Sequence, residues 1–363
     1  MTLPRFDFAS RLDSARREMG QAEIDGLLLS VGSDLPYLTG YEAMPLERLT
    51  MFALTQDGAV LVVPRLEEPR VEPGPFEVRS WDETEDPVAI VADHVGSRKR
   101  LGIGDHTWSL FLLRLQALLE GAEFVSATPV MSSLRIRKEP AEIDLLRQAA
   151  HATDRVAARL ATTPISGLTE RQLSYRVGEW TVDEGHDIAT FRIVASGPNG
   201  ASPHHEPTDR VIGEGDMVVI DFGGRLGGYC SDMTRMFVVG EPTSEQTEVH
   251  EVVRTAQQAG VDAVRPGVEA AAIDQAARQV IDDAGYGDNF IHRCGHGIGL
   301  EGHEEPYLVE GNHRPVESGM AFSVEPGIYL PGRFGVRIED IVAVTDDGVE
   351  ALNQASHELT VVE

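Results

Sequence analysis

Cysteine is nearly absent. Cys230 and Cys294 are the only two in 363 residues. A chain of this length cannot build a disulfide framework from two thiols, which points to a reducing compartment, and a cytoplasmic location is expected. Basic residues are also scarce, with 31 Lys and Arg against 59 Asp and Glu and a formal net charge of -28. Nucleic acid and anionic membrane are therefore excluded as partners, because phosphate binding needs clustered cations. No run of eighteen apolar residues occurs, so no spanning helix is expected. The opening MTLPRFDFASRLDSARREMG is charged and amphipathic and lacks an apolar stretch followed by a cleavage site, so no secretory leader is expected there. What remains is ordinary globular composition, 42% hydrophobic and 25% charged, enough for a sizeable core and long enough for two domains.

The first third alternates helix and strand patterns. Phe8, Leu12, Ala15 and Met19 share one helical face, and 26–30 is a short apolar run of strand type. Residues 51–55 and 59–63 flank Gln56-Asp57-Gly58, a hairpin signal. A strand over 101–104 and a helix over 108–119 follow. This rhythm predicts a mixed sheet covered by helices. A boundary falls between Arg135 and Pro140, where Pro140 suits the first position of a new helix. The spacing of Ile143, Leu146, Ala150, Thr153, Ala157 and Leu160 predicts that helix. A second begins after Thr169, with Glu170 in its first turn. Helices over 245–264 and 269–284 come later.

The chemistry sits in the strand signals of the second part. Asp221 closes the apolar run Val218-Val219-Ile220, where an unpartnered carboxylate is costly to bury. One strand is read over 217–222 and another, continuous, over 229–239. Folding them about a glycine turn near Leu226-Gly227 sets Asp221 opposite Asp232. His296 lies between glycines in GHGIG, Glu325 ends another apolar run before Pro326-Gly327, and Glu339 stands among β-branched residues. Each has an ordinary structural explanation by itself. Together, four carboxylates and one imidazole match what two divalent cations require, and carboxylates that bridge such ions hold them about 3.5–4 Å apart, an arrangement that activates water for hydrolysis. Oxygen-rich ligation favours manganese, with cobalt or zinc as alternatives. Cys230 and Cys294, each two residues before a proposed ligand, are left outside the set as small buried residues.

The motifs SGPNGASPHH, GDMVVIDFG, SDMTRMFVVG, GHGIGLEGHEEP, VEPGIY and VRIED resemble those of the pita-bread metallopeptidases, and SDLPYLTGYE is similar to the N-terminal domain of the creatinase, prolidase and aminopeptidase P branch. The resemblance spans essentially the whole chain. It implies an α+β protein, with a smaller α/β domain over 1–136 that carries a mixed sheet and a pita-bread catalytic domain over 137–363. It further implies that Asp221 chelates one metal, that Asp232 and Glu339 bridge both, and that His296 and Glu325 hold the second. Glu325 is the implied proton carrier. His204, His292 and His303 match histidines that contact substrate, with His205 as the neighbouring alternative to His204. Arg337 is expected to pair with Glu325, Asp340 or a substrate carboxylate, and Tyr329 to stand behind the ligands. Creatinase lacks this ligand set, so its chemistry is not expected.

The implied reaction is hydrolysis of Xaa-Pro bonds by a homodimer acting on small peptides with proline in second position. Dipeptides are preferred over the longer peptides of aminopeptidase P, although Tyr307 follows His303-Glu304-Glu305-Pro306 where some prolidases carry an arginine. A catalytically silent peptide-binding module, or a lyase or amide hydrolase acting on a small osmolyte, is the alternative from another class.

Overall fold

A computed structural model describes residues 6–363; the first five residues of the segment weighed above as a leader lie outside that range. The chain divides into two compact units, 1–135 and 136–363. Among the described residues no helix is long and apolar enough to cross a membrane.

The first unit runs α1 (Phe8–Gln21), β1 (Gly26–Leu29), α2 (Asp34–Thr39), β2 (Met51–Thr55), β3 (Ala59–Pro64), β4 (Glu77–Trp81), α3 (Pro87–Val95), β5 (Arg100–Ile103), α4 (Ser109–Leu118), β6 (Glu123–Ser126) and α5 (Thr128–Arg135). Its sheet has the order β4-β3-β2-β1-β5-β6. The β1–β2 and β2–β3 pairs are antiparallel and the β1–β5, β5–β6 and β3–β4 pairs parallel, the mixed sheet expected from the alternation. The hairpin about Gln56-Asp57-Gly58 closes as β2 and β3, with Met51 opposite Val62. Leu12, Ala15 and Met19 are buried on the inner face of α1.

The second unit opens with α6 (Pro140–Leu160) and α7 (Glu170–Asp183), followed by β7 (Ile188–Ser196), β8 (Met217–Leu226), β9 (Tyr229–Cys230) and β10 (Met233–Val239). After α8 (Ser244–Ala263) and α9 (Ala270–Asp283) come β11 (Gly295–Gly297), β12 (Glu304–Leu308), β13 (Ala321–Val324), β14 (Gly327–Leu330), β15 (Phe334–Arg337), β16 (Asp340–Val344), β17 (Val349–Ala351) and β18 (Thr360–Val362). Local chemistry sets these helix starts. Pro140 occupies the first turn of α6, while Thr169 with Gln172 and Thr243 with Gln246 form capping boxes for α7 and α8. The strands form a β18-β10-β8-β7 sheet with β9 on β8, a β12-β11-β13-β16-β17 sheet, and the β14-β15 hairpin. This two-unit α+β architecture agrees with the pita-bread expectation.

Alternation along β8 divides its side chains between two cores. Val218, Ile220 and Phe222 pack with Val156, Leu160, Leu173 and Val177 of α6 and α7. Met217 and Val219 pack with Val249, Val253 and Ile273 of α8 and α9. Each such side chain, fully buried, contributes roughly 1.5–3 kcal/mol. By parity Asp221 shares the face of Met217 and Val219. On β10, Thr234 shares the face of Met236 and Val238, and the register sets Thr234 directly opposite Asp221.

Candidate metal centre

Two strand details differ from the sequence reading. Asp221 lies inside β8, which continues to Leu226, and does not end its strand. The apolar run and the ladder to β10 both stop at Phe222, but the ladder to β7 continues through Gly223 and Gly224. The return strand is also broken. Ser231 and Asp232 fall between β9 and β10, so Asp221 faces Thr234 across the ladder and not Asp232. In this break the Ser231 N–H still donates to Gly224 O at 2.9 Å, while its hydroxyl meets His186 Nε2 at 2.7 Å and accepts from Gly224 N at 3.0 Å. Gly227 and Gly228 make the turn, with φ of 59° and 88°, a conformation that tight hairpins need and side chains with Cβ resist.

The remaining acids arrive from the second sheet and the hairpin. His296 is central in β11. Glu325 follows β13 directly, and its N–H donates to Cys294 O at 2.8 Å. Glu339 sits between β15 and β16, bridged by its backbone to Thr234. All five expected ligands therefore meet. Ligand atoms of Asp221, Asp232 and Glu339 lie within 4.8 Å of one another, as do those of His296, Glu325 and Glu339. His303 joins Asp232 and His296 in a third such group. His296 Nε2 is 3.3 Å from Glu325 Oε1 and 3.7 Å from Asp232 Oδ2. Its Nδ1 faces Gly297 O at 3.2 Å, a partner that places the proton on Nδ1 and leaves the Nε2 lone pair toward the acids.

The acids are buried and crowded. Asp232, Glu339 and Asp221 are at most 8% exposed. Burial raises the pKa of Asp232 well above the carboxylate range, and the charges of Glu339, Asp221 and Glu325 raise it further. Glu339 is raised by burial and then by Glu325 and Asp221. Glu325 is raised to about 7, burial outweighing the pull of Arg337. His296 is pushed down to about 3, by burial first and His303 second.

Arg337 is the cation among them, but its partner is Asp221, with Nη2 2.6 Å from Oδ2. This differs from the expected pairing with Glu325 or Asp340. Asp340 is taken instead by Arg235 at 2.6 Å and His357 at 2.5 Å. Four carboxylates against one guanidinium leave a deficit of positive charge, and Asp221 Oδ1 is buried with no hydrogen-bond partner. An unpartnered buried oxygen in such a cluster is costly, and two divalent cations satisfy both the oxygen and the charge.

The histidines differ in their surroundings. His292 spends Nδ1 on Arg293 O at 2.7 Å and Nε2 on the Tyr329 hydroxyl at 2.9 Å. That hydroxyl also accepts from Arg337 at 2.8 Å, so His292 and Tyr329 stand behind Arg337. His303 packs against His296 with ring centroids 3.8 Å apart and the rings tilted by 40°. His205 is bonded to Glu170, at 2.9 Å, while His204 is exposed. Cys230 and Cys294 are buried thiols, and burial pushes the Cys230 pKa up to about 11. Thr234 was not anticipated. Its hydroxyl donates to Glu339 Oε2 at 2.7 Å and accepts from Arg337 Nε at 3.0 Å, a role that a strand threonine announces only once its cross-strand partner is known.

The fold and this centre define a two-metal peptidase. Residues 144–346 match metallopeptidase family M24, and 11–137 match the Creatinase/Prolidase N-terminal domain. The chain belongs to metallopeptidase family M24, whose members bind two divalent metal ions. The Xaa-Pro dipeptidase of Lactobacillus helveticus is 36% identical over 97% of this chain and 98% of its own length. The prolidase of Thermococcus sibiricus is 38% identical, covering 99% of this chain and 100% of that one, with a TM-score of 0.95. Dipeptidase PepE from Mycobacterium ulcerans is 45% identical with the same coverage and a TM-score of 0.89.

Proposed function

We propose that this chain is a manganese-dependent Xaa-Pro dipeptidase in which Asp221, Asp232, His296, Glu325 and Glu339 hold the ions. The observation that carries the reading is the meeting of these five side chains around the unpartnered Asp221 oxygen. Two divalent cations there supply a water acidic enough to attack near neutral pH and a positive charge for the scissile carbonyl oxygen. The protein's own groups do the rest. Glu325 accepts a proton from the attacking water and returns it to the departing proline nitrogen. His303 and His204 hydrogen-bond the substrate. Arg337 fixes Asp221, and His292 acts through Tyr329 to orient Arg337. The Xaa-Pro bond has no amide hydrogen, and a closed-ended site that holds the free amine does not depend on one.

In this reading 137–363 is the catalytic domain and 1–136 the N-terminal domain of a cytoplasmic homodimer. Its relatives' names support the dipeptidase activity, and its oxygen-rich ligands support manganese. The manganese-loaded enzyme is expected to cleave Ala-Pro, to cleave Ala-Pro-Ala at least about tenfold less efficiently, and to leave Ala-Ala intact. Cleavage of Ala-Pro-Ala alone assigns the aminopeptidase reading. No cleavage by the fully loaded protein assigns a lyase, an osmolyte amide hydrolase or a peptide-binding module.

A further inference from the structure

Glu170 is a fully buried carboxylate that the reaction above leaves unused. Among the described residues no lysine or arginine pairs with it. Its bonds all come from one stretch of chain. Oε1 accepts from Ser196 N and Ser196 Oγ, both at 2.8 Å, and from Asn199 Nδ2 at 3.0 Å. Oε2 accepts from His205 Nε2 at 2.9 Å, Thr208 N at 3.0 Å, Thr208 Oγ1 at 2.7 Å and Asn199 Nδ2 at 3.1 Å. Burial raises its pKa, but these donors more than offset that and hold it at about 2. The start of α7 adds two backbone bonds, Glu170 N to Arg210 O and Arg171 N to Thr208 O, each 3.0 Å. Orphan donors of a helix N-terminus are thus satisfied by the same segment.

That stretch runs from Ser196 to Arg210, and its loop, 197–208, leaves β7 and has one 3-10 turn, Gly197–Ala201. Its other side is held by β15. A Cβ on Gly335 would lie 1.9 Å from Gly200 O, so the close approach requires glycine. Arg337 Nη1 donates to Pro203 O at 3.4 Å. His204 lies between two tethers, Pro203 on Arg337 and His205 on Glu170. It is near enough to His292 and His303 to act electrostatically on both.

We propose that Glu170 is a positioning residue for the hydrolytic site, fixing His205 and Thr208 so that His204 is presented to the substrate. This rests on the hydrolase reading, in which His204 touches substrate. His205 is then the tether and His204 the contact, which separates two adjacent residues of the SPHH motif by partner.

The test is a double-mutant cycle in the manganese-loaded full chain, using E170Q, H204A and the pair, with hydrogen exchange of 197–208 measured alongside. E170Q retains the side chain's shape but turns one acceptor into a donor facing donors. Exchange in 197–208 is expected to rise about tenfold or more, with 244–283 unchanged. Turnover of Ala-Pro is expected to fall about tenfold, mostly in kcat, and the double variant to be no worse than H204A within about twofold. Multiplying losses, unchanged exchange in E170Q, or an H204A enzyme of full activity would each overturn the positioning role. If E170Q does not fold, H205F removes only the histidine tether and is read by the same cycle and the same criteria. If the wild type cleaves no Xaa-Pro peptide, the hydrolase reading fails separately. The exchange comparison then decides the tether, with faster exchange supporting it and unchanged exchange overturning it.

Discussion

In the proposed reaction Glu325 meets two opposing demands. As a ligand it must be ionised, and as a proton carrier it must hold a proton near working pH. Before cations bind, burial lifts it to about 7, while Arg337 pulls it back and Ser323 Oγ donates to Oε1 at 3.1 Å. E325Q keeps the volume and removes the proton exchange. We expect kcat to fall by about a thousandfold or more while the thermal transition moves only a few degrees, measured on the same preparation. Activity within tenfold of wild type would remove Glu325 from proton transfer. The side chains that cluster here were legible from residue type and context, because acids closing or interrupting apolar runs need a partner. What each basic group pairs with was not. Arg337 lies two positions before Glu339 and three before Asp340, yet its guanidinium reaches Asp221, 116 positions earlier in the chain. Glu170 read as a first-turn helix acid, since nothing local reveals that the donors of a distant loop surround it.

Elements deliver these groups by parity and by interruption. Thr234 and Asp221 meet because β10 and β8 pair with both on the face shared with Val219 and Met236. Thr234 then links Glu339 to Arg337. T234V keeps the β-branched shape and deletes both bonds. Hydrogen bonds to charged groups contribute about 1.5–3 kcal/mol, so manganese affinity is expected to fall about tenfold or more, read by calorimetric titration with the circular dichroism unchanged. An unchanged affinity would show that Glu339 is held without it. Helices α6 to α9 were legible because 3.6-residue periodicity and capping residues are local signals. The break at Ser231–Asp232 was not, since Tyr-Cys-Ser-Asp-Met-Thr carries no Pro or Gly to mark it. The groups that meet Ser231 there, His186 and Gly224, are set by tertiary structure.

At the scale of the molecule, the centre concentrates acid in a chain already at a net charge of -28. A carboxyl whose pKa is raised on folding favours the folded state in its protonated form. For Glu325 that contribution is complete below about 4.5 and is lost as pH rises through about 7. Asp232 and Glu339 shift in the same direction. Before cations bind, the folded protein is therefore least favoured by these groups at alkaline pH, where the ligands are most ready to receive metal. Protons and cations compete for the same oxygens, so affinity must fall as pH drops. Glu325 alone, at about 7, weakens binding about tenfold between pH 8 and pH 6, and the other two acids add to it.

Manganese titration of the metal-free protein at pH 8 and pH 6 addresses the centre itself. The predicted result is two ions per chain at pH 8, with affinity at least about tenfold weaker at pH 6. One ion or none per chain at saturation, or an affinity indifferent to pH, would contradict a paired-cation site built from Asp221, Asp232, His296, Glu325 and Glu339.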